Sequence, residues 1–397
     1  MKARSRWVLV AAGLVAALGL TACSSDTSGT PAAPATGAHS PTAQAAPKPS
    51  AAVAYTPTAG ATDVNPVAPV SVKVTDGTIQ SLTLTNPAGE KVIGKLSADH
   101  TTWNVGEPLG FGKTYTWSGT ALGADGATKP IAGEFTTVTP NGTIGTRINT
   151  GDGKTYGVAM PIAVTFDAPV DDKAAAERAM TVRTSVPVEG SWAWLDDTRA
   201  HWRPKTYWPA GTEVHVNLKL YGVHYGDGIY GADDMTADFS IGRKQVVKAN
   251  TQTHRLKVYR DGKLTADFPA SFGMESDPGR VTNSGTHVVM SMHESYSMTN
   301  PQYDYYDVVV PWAVRISNNG EFVHGYAPSV WAQGSQNVSH GCVNLSPADA
   351  KKYFDSALVG DPVEITGSDK QLDAADGDYY DWTVPWDEWK SMSALAQ

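Results

Sequence analysis

"VHGYAPSVWAQGSQNVSHGCVNLSPADAKKYF", residues 323–354, begins with the end of an apolar strand at His324 and crosses a polar loop. It then places Ser339, His340, Gly341 and Cys342 just before a second apolar stretch and a helix start. Ser346-Pro347-Ala348-Asp349 supplies a capping hydroxyl, Pro at the first helical position and an acid three residues after the cap. That pattern predicts a helix continuing through "AKKYFDSAL", to residue 358. The surrounding segments alternate apolar and polar residues with turn residues between them: "THRLKVYRDG", "KLTADFPASFG", "GTHVVMSM", "DVVVPWAVRIS" and "DPVEITG". They read as strands, with "YRDGK" a hairpin turn, so residues 244–369 are expected to form a β domain with one short helix after the cysteine.

Cys342 is one of only two cysteines in 397 residues, and the other is Cys23. The chain opens with Lys2, Arg4 and Arg6, an apolar run from Trp7 to Leu20, and then small residues. The run is too short to span a bilayer comfortably and has the layout of a secretory signal. Leu20-Thr21-Ala22-Cys23 resembles the lipobox of bacterial lipoproteins. The resemblance implies cleavage of residues 1–22, lipidation of Cys23, and residence on the outer face of the cytoplasmic membrane. Several acyl chains would anchor stably, at about 0.8 kcal/mol per buried CH2. Cys342 is then left unpaired in an exported protein, where a leftover thiol is a candidate reactive group. Its flanking His, Gly and Asn argue against a cysteine that only fills a core.

Residues 23–52 are almost entirely Ser, Thr, Pro, Ala and Gly, and read as a disordered tether into the cell wall. Fully extended, it reaches on the order of 90 Å at about 3.1 Å per residue. Residues 53–139 and 140–243 look like weak repeats of one unit of short strands: "PVSVKV", "SLTLTN", "TYTWSG", then "PIAVTF", "GSWAWL", "EVHVNLKLYG". Each has a Trp in a polar setting (Trp103, Trp202) and a similar last strand, and each has the length of an immunoglobulin-like sandwich. "DDKAAAERAM", residues 171–180, reads as a helix interrupting the second unit. The Gly- and Asp-rich stretch 225–234 reads as turns, because its acids lack calcium-loop spacing. Residues 370–397 carry Trp382, Trp386 and Trp389 as packing anchors of a C-terminal subdomain. The fold class is therefore all-β. A net charge of −9 with no basic stripe excludes nucleic acid as a partner.

A thiol becomes a nucleophile when a nearby base takes its proton. His340, two residues before Cys342, and His324, on the preceding strand, are both candidates. On an extended chain the side chains of His340 and Cys342 would point the same way. A zinc site from His324, His340 and Cys342 lacks the usual C-x-x-C or H-E-x-x-H spacing, so no metal is expected. Ser339 and Ser346 lie outside any G-x-S-x-G elbow.

The 323–354 stretch is similar to the signature of the L,D-transpeptidases, which cross-link bacterial peptidoglycan: a strand ending in His, then a loop, then Ser-His-Gly-Cys-x-Asn. The likeness extends over residues 140–397. It implies Cys342 as nucleophile, His324 as base oriented by the Gly325 carbonyl, His340 and Gly341 shaping the turn, and backbone N–H groups near Cys342 as an oxyanion hole. Where many relatives have Ser, this chain has Gly325, so a side-chain role there is lost. Tyr306, Asn319, Gly320, Gly325, Ser339 and Asn344 match substrate-contacting positions, and 291–306 matches a mobile flap. The implied reaction has Cys342 attack the third residue of a stem tetrapeptide and release D-Ala, and a second stem's amine resolves the thioester into a 3→3 cross-link. The cleaved amide supplies the energy, so no cofactor is needed, and acylation by carbapenems is expected. Two other readings use the same chain: an L,D-carboxypeptidase that gives the thioester to water, and a non-catalytic wall-binding lipoprotein.

Overall fold

The computed structural model describes residues 48–376 and 379–396. The signal, Cys23 and most of the tether lie outside them. No described helix is long and apolar enough to cross a membrane.

The first sandwich starts at Ala52, one residue inside the stretch read as tether. A four-stranded sheet runs in the order Ala52–Thr56, Ser71–Thr75, Thr102–Val105, Gly94–Leu96, and a three-stranded sheet joins Gly77–Thr85, Thr114–Gly123 and Thr128–Thr136. Alternation drives the layering, as Val72 and Val74 turn inward while Lys73 and Thr75 face solvent. Trp103 and Trp117 meet edge to face at 5.3 Å in the core between the sheets.

The second sandwich pairs Gly190–Trp194, Arg199–Pro204, Ile162–Phe166 and Thr146–Ile148 in one sheet. The other sheet holds Lys154–Tyr156, Met235–Ile241, Glu213–Leu218 and Met180–Thr184. The expected helix is Lys173–Arg178, its first turn capped by the Asp172 carboxylate. Residues 225–234 fold into a small hairpin, with Asp227 and Gly228 both at positive φ in its turn.

The third unit has a five-stranded sheet, Lys263–Pro269, Arg255–Arg260, Gln245–Asn250, Pro362–Thr366 and Gly285–Val288. Its second sheet is Ser291–Asn300, Tyr305–Arg315, Phe322–Gly325 and Val343–Leu345. Val247, Leu256, Phe272, Val323, Val343 and Tyr353 are fully buried between the layers. The helix begins as expected, with Ser346 Oγ accepting the Asp349 N–H at 3.1 Å. It ends at Ser356, two residues early, where the buried Asp361 carboxylate captures the Leu358 N–H at 2.9 Å.

The sandwich and this unit touch closely. Gly157 donates to Val359 O at 2.7 Å, and a Cβ on Gly157 would lie 2.2 Å from Asp361 N, so only glycine fits. The C-terminal tail contains a further short helix, Trp386–Ser391, and packs on the second sandwich. Trp382 Nε1 donates to Ala159 O at 2.8 Å and Trp389 Nε1 to Ser191 O at 3.0 Å. The buried Arg203 guanidinium lies 4.9, 5.3 and 4.6 Å from the rings of Trp382, Trp386 and Trp389.

Candidate active site

The site is built where Phe322–Gly325 and Val343–Leu345 run parallel, with His324 opposite Asn344. That register puts Cys342, one residue before Val343, beside Phe322. Residues 339–342 form a turn rather than an extended strand. Gly341 sits at φ +116, a conformation that favours glycine. Ser339 Oγ donates to Cys342 O at 2.6 Å and accepts the Gly341 N–H at 3.2 Å. Thr282 Oγ1 donates to Gly341 O at 2.7 Å, and Arg280 donates to Val338 O at 2.7 Å and Ser339 O at 3.2 Å.

His324 is almost fully buried and its Nδ1 lies 3.1 Å from Gly325 O. The carbonyl accepts a hydrogen bond from Nδ1–H, which leaves Nε2 as the acceptor. Burial pulls the imidazole down to about 4, against the smaller upward effect of that carbonyl. The Cys342 thiol donates to Gly320 O at 3.6 Å. The residue keeps some surface open to the cleft, yet burial of the sulfur pushes its thiol up to about 12. The Phe322 N–H and Arg315 act downward on it and Glu321 upward. At neutral pH the resting pair is a thiol and a neutral imidazole, so proton transfer accompanies attack instead of preceding it.

Two cavities meet at the sulfur. One of about 220 Å³ is lined by Met298, Tyr305, Val308, Val310, His324, Tyr326 and Asn344 among others. Another of about 550 Å³ carries Arg315, Asn319, Gly320, Glu321 and Lys370. Met298, Tyr305, His340 and Cys342 line both. The 291–306 stretch, matched to a flap in sequence, forms most of a hairpin, Ser291–Asn300 and Tyr305–Arg315, around a 3-10 turn at Pro301–Tyr303.

The anticipated residues divide. His324, Cys342 and Asn344 come together in the smaller cavity, and Asn344 Nδ2 donates to Ser329 Oγ at 3.2 Å. Asn319 and Gly320 border the larger one, with the Ser317 hydroxyl bonded to Asn319 Oδ1. Ser339 is a pin of the turn, its hydroxyl engaged on both sides. The Gly341 N–H is held by Ser339. The Cys342 N–H has no hydrogen-bond partner among the described residues, which leaves it the better placed oxyanion donor. His340 is exposed, its ring 4.9 Å from Tyr303 and 5.3 Å from Tyr305, so it meets the hairpin tip. Gly325 is tightly enclosed: a Cβ there would lie 3.0 Å from Pro347 Cα and 3.1 Å from Pro311 Cγ, so a side chain at this position needs its neighbours to give by a few tenths of an ångström. Tyr306 is 58 % exposed and lines neither cavity, whereas its neighbour Tyr305 lines both. The hairpin register shifts between Met298 and Asn300, and one residue of slip exchanges the two faces. Among the described residues His324, His340 and Cys342 do not assemble as metal ligands.

A model of the L,D-transpeptidase catalytic domain matches residues 244–365. L,D-transpeptidase 5 of Mycobacterium tuberculosis is 52% identical over 89% of this chain and 79% of the relative. This chain belongs to the L,D-transpeptidase family. L,D-transpeptidase 2 of the same species is 37% identical, covering 85% of this chain and 84% of that one. A bacterial Ig domain model spans 61–224, across both sandwiches. A solved L,D-transpeptidase in complex with imipenem is 33% identical over 55% of this chain and 97% of that chain, with a TM-score of 0.48. The chain is an all-β enzyme, an acyltransferase of the L,D-transpeptidase kind.

Proposed function

We propose that this L,D-transpeptidase joins peptidoglycan stem peptides by 3→3 cross-links, with Cys342 as nucleophile and His324 as base. The observation that carries the reading is the parallel strand pair that brings His324 and Cys342 to one cavity wall. Cys342 Sγ attacks the third-residue carbonyl of a tetrapeptide while Nε2 of His324 takes the thiol proton. The oxyanion is met by the Cys342 N–H. His324 returns the proton to the departing D-Ala amine, and the thioester remains. A side-chain amine of a second stem then attacks the thioester, loses a proton to His324 and frees the thiol. Two cavities that share the Cys342 wall offer room for the acyl donor and for the incoming or leaving amine.

The lipobox-like start and the low-complexity tether support an enzyme anchored through Cys23 on the outer face of the membrane, with its site held within the wall. The half-open thiol supports acylation by carbapenems. The test is mass spectrometry of the full-length protein incubated with a disaccharide-tetrapeptide, with Cys342→Ala as control. A product of twice the substrate mass minus one D-Ala, absent in the control, is expected. Tripeptide as the only product would make the protein an L,D-carboxypeptidase, and an unchanged substrate that leaves Cys342 unreactive to a carbapenem would overturn the catalytic reading.

A further inference from the structure

Behind the sulfur, away from His324, lies a buried polar cluster with no part in the mechanism above. Glu321 is 4% exposed and His287 fully buried. Glu321 Oε1 accepts the Asn283 N–H at 2.8 Å, and Glu321 Oε2 lies 3.6 Å from His287 Nδ1. The other ring nitrogen, Nε2, is 2.9 Å from Asn283 O, and Nδ1 is also 3.3 Å from Ile316 O. Both nitrogens of His287 thus face oxygens, and the ring sits between the Glu321 carboxylate and the Asn283 and Ile316 carbonyls.

Glu321 is also the residue between the two backbone groups that grip the thiol. Gly320 O accepts from Sγ, and the Phe322 N–H points at it. The Glu321 backbone is fixed as well, its N–H on Ser317 Oγ at 3.2 Å and its carbonyl on the Ile316 N–H at 2.9 Å. We propose that Glu321, held by His287 and Asn283, is a positioning residue for the nucleophile. It fixes the Gly320 carbonyl and the Phe322 N–H around the sulfur and keeps a negative charge behind it.

The charge acts in one direction. The Glu321 side chain abuts the turn that carries the thiol, its Cγ 3.8 Å from where a Cβ on Gly341 would sit, and it shares a cavity wall with Cys342. A carboxylate there opposes formation of thiolate, in keeping with its upward effect on Cys342. The other charged or titratable groups facing this corner are Tyr296, Tyr303, Tyr305 and Arg315 from the hairpin, Lys370 from the segment after Pro362–Thr366, and His340 from the turn before Cys342. Arg315 works against Glu321, and its guanidinium is engaged by Ser317 O and Tyr296 Oη. Glu321 therefore holds the resting cysteine as a thiol oriented by its neighbours, and only the base across the cleft releases the proton. This rests on Cys342 being the nucleophile, but needs no particular substrate.

The test is the rate of Cys342 alkylation by iodoacetamide, read by peptide mass spectrometry on the full-length chain so that Cys23 is scored apart. Glu321→Gln keeps the shape and removes the charge, and its Cys342 rate at pH 8 is expected to rise about threefold, half a pKa unit. Glu321→Asp keeps the charge and the wild-type rate. Equal rates in Glu321→Gln and wild type, or the same rise in Glu321→Asp, would overturn the assignment, because a packing role alone does not separate Gln from Asp by charge. If Glu321→Gln does not fold, His287→Gln decides: a Cys342 alkylation rate that departs from wild type in the folded protein supports the held carboxylate, and the wild-type rate contradicts it. Failure of cross-linking with a normal alkylation pattern would bear on the substrate reading alone.

Discussion

Two regions of this molecule bury titratable side chains and treat them in opposite ways. In the tail clamp, Arg203 is 2% exposed, lies against three indole rings and donates to Val384 O at 2.7 Å. Beside it His201 and Asp381, both buried, meet at 2.8 Å. Burial lowers the guanidinium only to about 10, with Asp381 acting upward, so it keeps its charge at neutral pH. In the catalytic cleft, His324 and Cys342 receive mainly backbone dipoles, from Gly325, Gly320 and Phe322. The same physical cause, desolvation, then leaves both uncharged. A full charge partner makes a lock. A dipole partner sets direction and tautomer and leaves the proton free to move, which is what acyl transfer through a thiol requires.

The contrast can be broken from either side. The largest effect is expected at the cleft. Cys342→Ala should abolish cross-linking, and His324→Asn should lower kcat by about 10²–10⁴, while thermal melting of both stays within a few degrees of wild type. Next is the clamp. Trp389→Ala removes a fully buried indole and should cost about 3–5 kcal/mol of stability. Denaturant unfolding reads that loss, and kcat per folded molecule should be unchanged. A comparable fall in kcat would mean that the clamp shapes the cleft directly.

A smaller effect separates two neighbours on the hairpin. Tyr305→Ala should raise KM several-fold, on the order of 1 kcal/mol of lost ring contact, because Tyr305 lines both cavities. Tyr306→Ala should leave KM unchanged. Last, Gly325→Ala is read in stability rather than in KM. Its new methyl meets Pro347 and Pro311 at 3.0 and 3.1 Å and should cost about 1–3 kcal/mol by overpacking, seen as a lower melting temperature.

Much of this contrast could be read from the chain. Local spacing marks Cys342 and two candidate bases, His324 and His340, and only the family resemblance chooses His324 between them. The Ser346 cap and the Pro347 start of the helix are local too. Tyr305 and Tyr306 are adjacent and chemically identical, and a register shift in the hairpin decides between them, which composition cannot reveal. The Ser339 pin, the Pro cage around Gly325 and the Glu321–His287 pair are contacts between distant segments. Nothing in "NNGEF" or "GTHVV" signals that the two meet. The tail was legible as anchors and not as partners of Arg203, since that contact joins residues about 180 positions apart. Gly341 lies at positive φ and turns the chain, so the alternation of an extended strand does not apply between His340 and Cys342.

The most direct test of the neutral resting pair is the pH dependence of kcat/KM for cross-linking. His324 serves as base only when unprotonated. With its value lowered to about 4, activity should persist through pH 6 and fall only as pH drops through about 4. An acid limb near pH 6.5, the ordinary histidine value, would mean that the imidazole titrates as if solvated. It would contradict a buried, uncharged pair.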